Sequence, residues 1–94
     1  MLVVTGRPES MDEIERLSLE HVARSREEPG CVSHGVNRDL EQPLRLVFLE
    51  EWADRAALAA HFAVPASQEF SKALARLAAG STTLRIYEGE PTRV

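Results

Sequence analysis

The pattern of apolar and polar positions divides the chain into strand-like and helix-like stretches. Leu2-Val3-Val4-Thr5 is a short run of β-branched and aliphatic residues that stops at Gly6-Arg7-Pro8, and it predicts a first strand. Ser10 followed by Glu13 has the spacing of a capping box, in which each side chain satisfies a backbone N–H at a helix start. Beyond it, Met11, Ile14, Leu17, His21 and Val22 recur at helical spacing, while Glu13, Arg16, Glu20 and Glu27 fall on the opposite side. The expectation is a helix with one buried face. Glu28-Pro29-Gly30 ends it, because proline disfavours helical geometry in the residue before it and glycine permits a tight turn.

Residues 31–38 then read as a strand with Val32, His34 and Val36 on one face and Cys31, Ser33, Gly35 and Asn37 on the other. After the polar loop 39–43, Leu44-Arg45-Leu46-Val47-Phe48-Leu49 gives the strongest strand signal and suggests a hairpin with its predecessor. Trp52 ends that strand, and Asp54 is placed to cap a helix over 55–62 in which Leu58, His61 and Phe62 share a face. Pro65 fits the first turn of a further helix carrying Phe70, Leu74 and Leu77 and ending at Gly80, and 82–87 forms a last β-rich segment. The order β-α-β-β-α-β, with the second helical region broken near Pro65, predicts an α+β, ferredoxin-like domain in which helices cover one face of a four-stranded antiparallel sheet. Large apolar groups on both faces of the third strand leave the other sheet face needing a cover. A second copy of the sheet, in an isologous homodimer, is the simplest one.

Composition narrows the function classes. Ninety-four residues, 44% apolar and 28% charged, suit one folded domain spanning 1–94. A net charge of −4, with 11 basic residues scattered among 15 acidic ones, offers no footprint for a phosphate backbone, so nucleic acid is not an expected partner. No apolar run approaches the roughly 20 residues of a membrane span, and no signal-type segment follows Met1; the expectation is a cytoplasmic protein. Cys31 is the only cysteine, which excludes an internal disulfide and a multi-cysteine metal site. It follows a turn without an evident activating group and reads as a small buried residue rather than a nucleophile.

Four segments taken in order add a family resemblance: Glu28-Pro29-Gly30-Cys31-Val32, then Phe48-Leu49-Glu50-Glu51-Trp52, then Ala57-Leu58-Ala59-Ala60-His61-Phe62 with Pro65, and finally Leu84-Arg85-Ile86-Tyr87. Together they resemble the antibiotic biosynthesis monooxygenase family over roughly positions 2–88. The resemblance implies a dimeric α/β barrel. It also implies oxidation of quinols or polyketide aromatics by molecular oxygen, often without metal or flavin, although some relatives degrade haem. Two departures stand out. Many relatives carry histidine after the proline where this chain has Ala66, and haem-degrading relatives carry asparagine at the end of the first strand, near Thr5 and Gly6 here.

His61 matches the family histidine and is the leading candidate catalytic residue, since an imidazole accepts a phenolic proton near neutral pH. Trp52, at a strand end, is the second, able to stack on a planar ligand or to close one end of the barrel. Phe48, Leu58, Phe62 and Phe70 are expected to shape an apolar enclosure around a small aromatic or quinol ligand. Glu50 shares a strand face with Phe48 and Trp52, and an arginine salt bridge is its expected fate. His21 and His34 are expected to point toward the same space. Positions 21, 34 and 61 contain no His-x-x-x-His pair, so the expectation is pocket-lining histidines without a metal or other cofactor. The leading function is a cofactor-independent monooxygenase; the alternatives are a non-catalytic barrel that binds a small molecule in a stress response, and a haem-binding or haem-degrading relative.

Overall fold

The structure, a computed structural model, describes residues 1–93 and so leaves only Val94 of the expected 1–94 domain outside. The elements run β1 (Leu2–Thr5), α1 (Met11–Arg26), β2 (Cys31–Arg38), β3 (Arg45–Trp52), α2 (Arg55–Ala63), α3 (Pro65–Leu77) and β4 (Thr83–Leu84). The four strands form one antiparallel sheet in the order β2-β3-β1-β4, the arrangement expected of a ferredoxin-like α+β fold. No helix among the described residues is long and apolar enough to cross a membrane.

The core lies between the helices and one face of the sheet. Val4, Leu46 and Phe48 point into it from the strands, Met11, Ile14 and Val22 from α1, and Phe70 and Leu74 from α3. Register explains the strand contribution, because Val4 sits opposite Leu46 while Val3 and Val47 pair on the other face. That outer face keeps apolar residues exposed, with Leu49 at 54%.

Local chemistry sets the helix starts, not always as the sequence suggests. Asp54 caps α2 as expected, its Oδ1 accepting from the Ala57 N–H at 2.8 Å. Pro65 occupies the first turn of α3, where its missing N–H costs nothing. Ser10 precedes α1 but makes no capping-box bond. Its hydroxyl instead donates to the Leu77 carbonyl at 2.9 Å and so ties the start of α1 to the end of α3.

The turn before β2 is tightly defined. Gly30 has φ +82°, and a Cβ there would lie 2.4 Å from Cβ of Ala57, so the turn needs glycine both for its backbone and for its contact with α2. That contact brings Glu28 alongside α2. The next residues depart from simple alternation. A bulge between Cys31 and Ser33 sets Cys31 opposite Trp52 and Ser33 opposite Glu51, leaving Val32 as the extra residue. Cys31, not Val32, therefore shares the helix-facing side with His34, and Val32 is 59% exposed.

Candidate functional site

Three histidines from three separate elements meet under the helices. His21 is on the inward face of α1, His34 lies in β2 directly opposite Glu50 of β3, and His61 is in the last turn of α2. They are 4%, 3% and 3% exposed respectively. Their ring centroids are separated by 5.2 Å (His21–His34), 5.3 Å (His21–His61) and 5.6 Å (His34–His61), a nearly equilateral triangle. Aromatic rings fix it from two sides. Phe70 stacks on His21 at 4.1 Å with 9° between planes, and Trp52 lies 4.6 Å from His61.

Glu50 joins this triangle to Trp52. Its Oε1 accepts from the Trp52 indole N–H at 3.0 Å and lies 3.1 Å from Nε2 of His34 and 3.9 Å from Nε2 of His61. The His34 approach is close but poorly directed, so it acts as an electrostatic contact rather than a well-formed hydrogen bond. Burial pushes the Glu50 carboxyl up, but the His34 imidazole, the Trp52 N–H and the proximity of His61 outweigh it and bring the pKa down to about 2. Glu50 is therefore a carboxylate at neutral pH, and its partners are histidines and tryptophan, not the arginine expected from the sequence.

His61 is oriented from its other edge. Nδ1 lies 2.9 Å from Oε1 of Glu28, so with Nδ1 as donor the Nε2 lone pair faces Glu50. His21 is held neutral: burial first, then the neighbouring His34, His61 and Arg24, lower its pKa to about 3. His21 Nδ1 and both ring nitrogens of His34 are sealed from solvent without a hydrogen-bond partner, as is Ser18 Oγ.

A cavity of about 360 Å³ opens on the far side of Glu50 and Trp52. Leu58 and Phe62 of α2 line it together with Met1, Leu84, Ile86 and Tyr87. Of the candidates expected from sequence, Glu50, Trp52, Leu58 and Phe62 are in the wall. His21, His34 and His61 are not; His34 lies behind Glu50 and His61 behind Trp52, in contact with them, and His21 packs against the other two imidazoles. Phe48 and Phe70 are corrections to the expected enclosure, because both belong to the core and pack on each other at 5.9 Å. Glu28 is a site residue that the sequence does not reveal: it reads as part of a turn, and nothing in its spacing links it to a histidine 33 positions away. Cys31 is half-buried rather than buried, and burial raises its thiol pKa, which fits an inert residue.

Comparison with known proteins agrees with this fold. The sequence profile described as antibiotic biosynthesis monooxygenase matches residues 1–82. An uncharacterized protein of Synechocystis sp. is 34% identical over 91 residues, covering 93% of this chain, which spans 62% of that relative's length. A crystal structure described as an antibiotic biosynthesis monooxygenase superposes with a TM-score of 0.87 at 29% identity, covering 96% of this chain and 95% of its own. A conserved protein from Methanosarcina mazei Go1 reaches 0.88 at 28% identity, covering 95% of this chain and 90% of that one.

Proposed function

We propose, since the chain belongs to the antibiotic biosynthesis monooxygenase family, that it oxidises a small hydroxylated aromatic such as a hydroquinone with molecular oxygen, using its own side chains as base and binding site. The observation that carries this reading is the position of Glu50 and Trp52, which wall the cavity on one side and touch the buried histidines on the other. A volume of about 360 Å³ is within the usual range of small-ligand sites, and the indole, Leu58 and Phe62 offer a flat apolar surface to a ring.

The reaction needs no group beyond substrate and oxygen to balance. A hydroquinone and O2 give a hydroxyquinone and water: one oxygen atom enters the ring in place of hydrogen, the other leaves as water, and the substrate supplies all four electrons. The residues contribute by removing a proton. Glu50 carries the hydroxyl proton inward to the Nε2 lone pair of His61, where Glu28 steadies the imidazolium that forms. The resulting phenolate is electron-rich enough to react with oxygen at a ring carbon. The proton then returns to the peroxide formed there, which loses water. The apolar wall keeps competing water away from the charged intermediates.

Trp52→Phe tests the binding half of this reading. Loss of stacking area without loss of a proton acceptor is expected to raise KM for a hydroquinone more than it lowers kcat. A fall in kcat alone would assign Trp52 to the chemistry instead.

The exposed outer face of the sheet, with Leu49 and Val32 open to solvent, supports a homodimer formed through that face. Sedimentation at micromolar concentration is expected to give about twice the 10.4 kDa chain mass, and a clean monomer would reject the pairing.

A further inference from the structure

We propose that His21, His34 and His61, with Glu50 beside them, form a binding site for one divalent transition-metal ion such as zinc. Each imidazole offers one nitrogen, and these donor atoms all lie within 4.8 Å of one another. Zinc–nitrogen bonds of roughly 2.0–2.1 Å in a tetrahedral site bring ligand nitrogens closer than that, so small ring rotations complete the site. Three nitrogens and one carboxylate oxygen suit zinc and its first-row neighbours, whereas magnesium and calcium prefer all-oxygen sets.

Two independent observations point to a ligand here. The first is the set of orphaned atoms: His21 Nδ1 and His34 Nδ1 are buried with no hydrogen-bond partner, and His34 Nε2 has only its poorly directed contact with Glu50, an arrangement that is costly and that an ion would relieve by taking the one lone pair of each ring. The second is Glu28, whose carboxylate holds Nδ1 of His61 at 2.9 Å and turns Nε2 inward. A carboxylate on the outer nitrogen of a ligating histidine is the usual outer support of a metal site, since it fixes the tautomer and strengthens the inner nitrogen as a ligand. The stacked Phe70 and the Trp52 ring hold two of the three imidazoles from outside.

The inference goes beyond the proposed oxidation and does not depend on it. An ion and a transferred proton would use the same nitrogen of His61, so the two occupants exclude one another. Binding is therefore read without activity.

The full chain, stripped with a chelator, is titrated with zinc by calorimetry and with cobalt(II) by visible absorption. One zinc per chain is expected. Cobalt should give the intense visible bands of a four-coordinate site and quench the emission of Trp52, the only tryptophan. Glu28→Gln should weaken zinc binding roughly 10–100-fold, and His34→Asn should abolish the cobalt bands. If His34→Asn does not fold, the milder change at Glu28, on the rim of the cluster, decides the matter. Absence of saturable zinc binding, a weak six-coordinate cobalt spectrum, or wild-type affinity in Glu28→Gln would each overturn the site. Oxygen uptake by the stripped protein is a separate readout, so failure of one proposal is distinguishable from failure of the other.

Discussion

Oxygen-dependent turnover of a hydroquinone by the chelator-treated protein is expected to fall roughly 10²–10⁴-fold when His61 is replaced by asparagine, the usual loss on removing a positioned base. Asparagine is the informative replacement because His61 is buried between Trp52 and Glu28. Alanine would open a cavity and leave the Glu28 carboxylate without its partner, confounding chemistry with stability. The asparagine amide can still donate to Glu28 but accepts no proton near neutral pH. KM should change little, since His61 does not line the cavity. A variant that melts near the wild-type temperature and turns over at the wild-type rate would remove His61 as the base and leave His34, at 3.1 Å from Glu50, as the next group to test.

The same chelator-treated chain is expected to lose stability steeply in acid. His21 has a folded pKa near 3 against an ordinary value of 6.5, so the unfolded chain binds a proton that the folded chain refuses throughout that window. Stability therefore falls as pH drops from about 6.5 toward 3, by about 5 kcal/mol at most if each pKa unit is worth about 1.4 kcal/mol. Glu50 acts in the same direction at the lower end. Its carboxylate is favoured in the fold, so its contribution is present above the unfolded carboxyl value and disappears as pH falls toward 2. Urea unfolding at a series of pH values checks both. His21→Gln should flatten the profile above pH 4 while retaining the Glu50 limb below it. An unchanged profile in that variant would mean that His21 accepts a proton in the folded chain.

Most of the fold is legible in the sequence because each element carries its own local signal. Asp54 and Pro65 mark helix starts through backbone chemistry that does not depend on the rest of the molecule. The misses arise where a neighbour decides. Residues 82–87 have strand-like composition, yet β4 covers only Thr83–Leu84; Met1 and Arg85 still exchange backbone hydrogen bonds at 2.8 and 2.9 Å, but Ile86 and Tyr87 belong to no strand. The bulge at Val32 is equally silent: the alternation from Cys31 to Asn37 looks unbroken, and only the pairing with Trp52 and Glu51 reveals the extra residue. That displacement matters to the site, since it puts Cys31 beside Trp52. Helical spacing was enough to turn His21 and His61 inward. What spacing could not provide was the convergence of positions 21, 34 and 61 within 4.8 Å, which needs the hairpin register and the Gly30 contact with Ala57 together.

Oxygen consumption by the chelator-treated wild-type protein across a panel of hydroquinones and hydroxynaphthalenes, with the products identified by mass, tests the proposed activity most directly. Uptake of one O2 per substrate, with one oxygen atom from labelled O2 in the product and one in water, is the expected result for at least one member of the panel. Ligands that bind beside Trp52 and quench its emission, yet give no oxygen uptake above the protein-free rate, would contradict it and leave the cavity as a binding site without chemistry.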